Sequence, residues 1–194
     1  MATFTKRQQE IINTAIELIA EKGIQELTIK NLSKKIGIAE SAIYRHFASK
    51  MDILVSILSL FHLNSEQMNQ ALNDTQIAPL QKLNKLLEDR FSHFAANPTI
   101  ATVIFSEELF RNDRRLSDRI YEIIKTNQEL IIGILRAGQQ SGDFRTDFDP
   151  EEMAFMIMGG MRLIVTQWRF SEYEFDLQQK GQRFWHTIET LIKK

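Results

Sequence analysis

The sequence has no cysteine. That absence excludes disulfides, thiolate nucleophiles and thiolate metal sites, and it fits a reducing compartment. Proline and glycine are scarce, three and eight in 194 residues, which argues against collagen-like or long linker-like stretches. Long apolar runs are missing too. The greasiest segment, Ile53 to Leu63, is broken by Ser56, Ser59 and His62, and it is far shorter than the roughly 20 residues a membrane span takes. Met1 to Arg7 leads straight into Gln8-Gln9-Glu10 with no apolar core of a secretion signal. A cytoplasmic protein without membrane contact is therefore expected. Enzyme signatures are absent as well: there is no glycine-rich phosphate loop, no Gly-x-Ser-x-Gly and no His-Glu-x-x-His. The histidines (His46, His62, His93 and His186) are scattered, and His62 with Glu66 reads as a surface pair on a helix. No catalytic residue, metal or cofactor is expected.

What is present is an ordinary globular composition, 43% hydrophobic and 25% charged, in a chain long enough for one large domain or two modest ones. The net charge of −1 is unevenly spread. Residues 1 to 50 hold eight Lys and Arg against five Glu, and the remaining 144 residues carry a net −4. A basic end on an acidic body suits a polyanion partner, although chance gives such asymmetries too.

Apolar residues recur at helical spacing nearly throughout, which predicts an all-α fold of about nine helices. Ile11, Ala15, Leu18 and Ile19 share a face of the first helix, and Gly23 ends it. Thr28 is placed to cap a two-turn helix with Ile29, Leu32 and Ile36 on its core face, closed by Gly37. A third short helix is predicted over Glu40 to His46. Ser49 and Asp52 have capping-box-like spacing at the head of a long fourth helix. Later, Leu80, Leu83, Leu87, Phe91 and Phe94 mark a helix that Asn97-Pro98 breaks. Leu116 to Leu135 marks a long one, and Gly138 to Phe148 reads as a loop. Asp149-Pro150-Glu151-Glu152 is a helix start, with Asp as cap and Pro in the first position. The expected division is a short helical domain over 1–48, a linking helix over 49–72 and a second, larger helical domain over 73–194.

Two short helices joined by Gly37-Ile38-Ala39 and preceded by a longer helix suggest a helix-turn-helix; a plain helical hairpin would show the same spacing. The residues themselves say more. The run Gly37-Ile38-Ala39-Glu40-Ser41-Ala42-Ile43-Tyr44-Arg45-His46-Phe47-Ala48-Ser49-Lys50 resembles the signature of the TetR/AcrR family of repressors. The resemblance covers about residues 8 to 55, with Ala15, Lys22-Gly23 and Thr28 in corresponding places. It implies a sequence-specific transcription repressor acting on a double-stranded DNA operator as a homodimer. Tyr44 and His46 are expected at phosphates, with the Tyr44 ring also covering the core. Lys50 and Thr28 sit at helix starts where backbone N–H groups also meet phosphates. Base reading falls to Glu40, Ser41, Ala42 and Arg45, with Lys30 as a further candidate: arginine suits guanine, glutamate the cytosine amino group, alanine the thymine methyl. Ala39 departs from the family, which often has Ser or Thr as a cap there.

For the rest of the chain the resemblance is architectural. Gly159, Gly160, Phe184, Trp185, Ile188 and Leu191 are the expected dimer seam; packing on their own domain is the competing account. Phe91, Phe94, Phe105, Phe110, Met158, Met161, Arg162 and Trp168 are the expected effector pocket. A Phe/Met lining suits a small hydrophobic effector, aromatic or acyl-bearing. The alternative is a DNA binder of the same fold controlled by a protein partner, with no small-molecule ligand.

Overall fold

A computed structural model describes residues 4–70, 72, 77–105 and 113–194, with the side chains of 63–69 outside the description. Among the described residues there are nine α-helices, as the periodicity predicts. They are α1 (Lys6–Lys22), α2 (Ile29–Ile36), α3 (Glu40–Tyr44), α4 (Lys50–Gln70), α5 (Pro79–Ala96), α6 (Pro98–Ile104), α7 (Arg114–Ser141), α8 (Pro150–Phe170) and α9 (Leu177–Ile192). They fall into two compact units. One runs to Asn64 and includes Pro98–Tyr121; the other holds Ser65–Asn97 and Glu122–Lys194. None of these helices is long and apolar enough to cross a membrane.

The first unit is built on α1. Its Thr5 hydroxyl accepts the Gln8 backbone N–H at 3.2 Å while Gln8 Oε1 accepts the Thr5 backbone N–H at 3.0 Å. This reciprocal cap satisfies two of the helix's open donors. Ile11, Ile12, Ala15, Leu18 and Ile19 are buried, so the apolar stripe read from spacing is the core face. The second unit packs α5, α7, α8 and α9 around Leu83, Leu87, Ile131, Leu135, Ile157, Ile188 and Ile192. Asp149 caps α8 as expected, accepting the N–H groups of Glu151 and Glu152 at 2.7 and 3.2 Å.

Two boundaries differ from the sequence expectation. The third helix stops at Tyr44 rather than His46. Both His46 and Phe47 direct their N–H groups at the Ile43 carbonyl, 2.9 and 3.0 Å, and the buried Phe47 ring turns the chain inward. The loop expected from Gly138 begins later, because α7 continues through Ser141. The Phe144 ring folds back onto Gly138 and occupies the space a Cβ there would take. A glycine within a helix normally costs stability; here it makes room for a ring only 1% exposed.

Candidate nucleic-acid interface and effector unit

The turn between α2 and α3 depends on Gly37, at φ 78°, ψ 35°. This left-handed conformation favours glycine. The N–H groups of Gly37 and Ile38 both reach the Ser33 carbonyl, at 2.9 and 3.0 Å. The helix end is thereby satisfied and α3 departs in a new direction. Ile43 and Phe47 are buried and anchor α3 from beneath. On its outer side Glu40, Ser41, Tyr44 and Arg45 are exposed, while Ala42 and His46 are half-buried. Tyr44 is 51% exposed, so about half of its surface is covered and half reaches solvent.

Thr28 and Lys30 are exposed at the head of α2. The Thr28 hydroxyl accepts the Asn31 N–H at 3.0 Å. Ala39 makes no side-chain cap, as its residue type requires. Lys50 is the first residue of α4, and partial burial holds its ammonium below the usual lysine pKa. Ser49 caps that helix in part, its hydroxyl accepting the Asp52 N–H at 3.3 Å. Not every basic residue of the N-terminal third is available. Lys35 lies 2.6 Å from Glu21 and 3.6 Å from Glu17, and the Glu21 hydrogen bond raises its pKa.

In the second unit the predicted pocket residues separate. Phe91 and Phe94 are buried on α5. Met158 and Met161 are half-buried against the core formed around Leu83, Leu87, Ile131 and Ile157. Trp168 is buried under Tyr173, ring centroids 4.7 Å apart. Arg162 is exposed, Phe105 belongs to the first unit, and Phe110 lies outside the described residues. A cleft of about 220 Å³ opens between α5 and α9, lined by Asn84, Glu88, Phe91 and Ser92 facing Gln178, Gly181, Gln182 and Trp185.

Of the predicted dimer seam, Gly159 and Leu191 are exposed and Trp185 is half-buried. Ile188 is only 4% exposed and belongs to the core of its own unit. Gly160 and Phe184 pack against each other within the chain. The apolar residues α8 does present are Phe155, Met156, Leu163 and Phe170, the last 82% exposed. Their spacings, with Gly159 between them, place them along one side of the helix.

Sequence reasoning missed Arg90. It lies 5% exposed within the apolar stripe of α5, and burial pushes its pKa down to about 10. Its Nη2 donates to Asn127 Oδ1 of α7 at 2.7 Å. Spacing was the available signal, since Arg90 stands seven residues after Leu83 and three after Leu87. Arg115 was missed too; it pairs with Asp52 and Asp113. Glu66, the partner suggested for His62, has its side chain outside the described set.

Comparison with known proteins fits this geometry. Residues 11–57 match the model of bacterial regulatory proteins of the tetR family, and residues 59–191 match the C-terminal region of YsiA-like proteins. The fatty acid metabolism regulator protein of Bacillus subtilis (strain 168) is 30% identical over 172 residues, 88% of each chain. The structure of FadR from Bacillus subtilis in complex with stearoyl-CoA is similar with a TM-score of 0.80 at 27% identity, over 94% of this chain and 97% of that one. FadR from Bacillus halodurans shares the fold with a TM-score of 0.84 at 24% identity, over 96% of both chains. The chain belongs to the TetR family of bacterial regulatory proteins and is a DNA-binding transcriptional regulator.

Proposed function

We propose that this regulator is a homodimeric repressor that leaves its operator when a long-chain acyl thioester occupies its second unit. The observation that carries the effector half is the likeness, across nearly the whole chain, to a fatty acid metabolism regulator and to a FadR structure holding stearoyl-CoA. Phe91, Phe94, Met158 and Met161 are the proposed apolar lining, since they share one unit and flexible apolar side chains suit an acyl chain.

The DNA half is assigned to the first unit. Arg45, Glu40, Ser41 and Ala42 read bases, with Lys30 at the edge, and Tyr44, His46, Thr28 and Lys50 hold phosphates. The exposure of Tyr44, Arg45 and Lys30 supports these roles, and the start of α4 offers backbone donors to a phosphate. One such head reads few base pairs, so useful specificity needs two. The exposed side of α8 through Phe155, Met156, Gly159 and Leu163, with Leu191 of α9, is the proposed dimer face.

The test is a selection of duplexes from a random pool with the purified protein, followed by titration with stearoyl-CoA. Enrichment of a two-fold symmetric site that stearoyl-CoA releases and free coenzyme A does not is the expected result. Release by neither compound sinks the acyl-effector assignment.

A further inference from the structure

Arg115, in the first turn of α7, binds two carboxylates at once. Its Nη1 donates to Asp52 Oδ1 in the first turn of α4. Its Nε and Nη2 donate to Asp113 Oδ1 and Oδ2 at 3.1 and 2.7 Å. Asp113 Oδ1 also accepts the Arg115 backbone N–H at 2.9 Å, so guanidinium, carboxylate and helix start form one assembly. The guanidinium holds the Asp113 carboxyl below the usual carboxylate range. On the other side, the Asp52 backbone N–H reaches the Ser49 hydroxyl. The Ser49–Asp52 turn, which includes Lys50, is therefore fixed both by its own cap and by a residue 63 positions away in sequence from Asp52.

The pair is poorly suited to holding the fold together. Arg115 is 57% exposed, and ion pairs open to water contribute little to stability. It is well suited to holding an orientation, because a planar guanidinium bound to two carboxylates leaves few degrees of freedom. The two helices it joins, α4 and α7, are those whose residues divide between the two compact units.

We propose that Arg115 is a positioning residue for operator binding: by clamping Asp52 to the start of α7, it fixes the first turn of α4 so that Ser49 and Lys50 meet a DNA phosphate. The inference rests on the assignment of Lys50 to a phosphate made above. It also gives the long helix α7 a direct hold on the DNA-contacting end of α4.

The deciding variant is Asp52→Asn, because two accounts predict opposite signs. If Asp52 were only a charge near DNA, removing it would tighten binding by relieving repulsion. If Asp52 is the handle that Arg115 grips, removing it loosens the turn, and affinity falls roughly two- to fivefold, since an exposed ion pair passes on no more free energy than it contributes. The experiment measures affinity for a duplex enriched by the unmodified protein, for Asp52→Asn, Arg115→Gln and each of these combined with Lys50→Ala. Thermal unfolding of each variant checks the fold. Losses in both single variants with unchanged melting, and much smaller further losses once Lys50 is alanine, support the proposal. Equal or tighter binding by Asp52→Asn overturns it, as does a loss that persists undiminished in the Lys50→Ala background. If the unmodified protein enriches no duplex, the operator-binding account itself fails, which is a distinct result.

Discussion

The Phe184 ring occupies the space beside Gly160: a Cβ built on that glycine would lie 2.7 Å from Phe184 Cε2 and 2.8 Å from Cζ. The closeness of α8 and α9 at this point is therefore an internal feature of one protomer. Gly160 lets a ring of its own chain approach, and the neighbouring Gly159 faces open space. Two adjacent glycines that look alike in sequence have different surroundings.

Alanine should separate them. Gly160→Ala forces Phe184 out of place, and such overpacking costs about 1–3 kcal/mol, against a helix-propensity gain of up to about 1 kcal/mol. Gly159→Ala meets nothing within 4 Å and keeps that gain. Thermal unfolding should thus show a lower midpoint for the first variant and an equal or higher one for the second, provided association state is monitored alongside. Gly159 lies on the proposed dimer face, so a lower midpoint for Gly159→Ala should appear only together with a weakened dimer.

Phe155→Glu with Leu163→Glu should convert the proposed dimer to monomer in sedimentation, since charge on an apolar interface core is strongly unfavourable. Tyr121→Glu, at a residue 68% exposed on the first unit, serves as the control and should leave the assembly intact. A dimer that survives both α8 substitutions places the interface elsewhere.

Lys50→Ala should weaken binding to all duplexes alike and flatten the log–log salt slope by about one unit, as loss of one phosphate contact does. Arg45→Ala should instead change which sites are preferred. Burial lowers the Lys50 pKa, so its charge is present at low pH and lost at a lower pH than for an ordinary lysine. DNA affinity should accordingly decline as pH rises through that lowered value, and the decline should shrink in Lys50→Ala. Gel-shift or fluorescence titrations across pH and salt measure all three effects.

Asn127→Leu should destabilise the second unit by about 1.5–3 kcal/mol, because it removes an acceptor from a buried guanidinium. Arg90→Met together with Asn127→Leu should recover part of that loss, since the double change leaves no buried guanidinium lacking the Asn127 acceptor. Chemical denaturation of the single and double variants measures it. A double variant as unstable as Asn127→Leu alone would refute that account of the pair.

Much of the fold is legible in local chemistry. Thr28, Gly37 and Asp149-Pro150 bound their helices where the sequence predicts. Each acts on backbone groups within a few residues of itself, so its partners are known once the chain order is known. The uncapped start at Ala39 is legible for the same reason. The buried face of α1 follows from helical periodicity alone. The family signature over Gly37 to Lys50 belongs to this class too, because its residues serve one turn and one short helix.

Contacts across the chain are another matter. Arg90 and Asn127 are 37 positions apart, and Arg115 and Asp52 are 63 apart. No periodicity or composition pairs them, since each residue alone reads as an ordinary surface charge or amide. The same holds for Gly138 beneath Phe144, Gly160 beneath Phe184, and Ile188, whose apolar character fits an interface and a core equally well. Backbone hydrogen bonding and helical period are local, so the helices, most of their ends and the turn between α2 and α3 can be read from chain order alone. Which side of α8 is left exposed and which charge grips the start of α4 depend instead on which helices meet, and chain order does not say that.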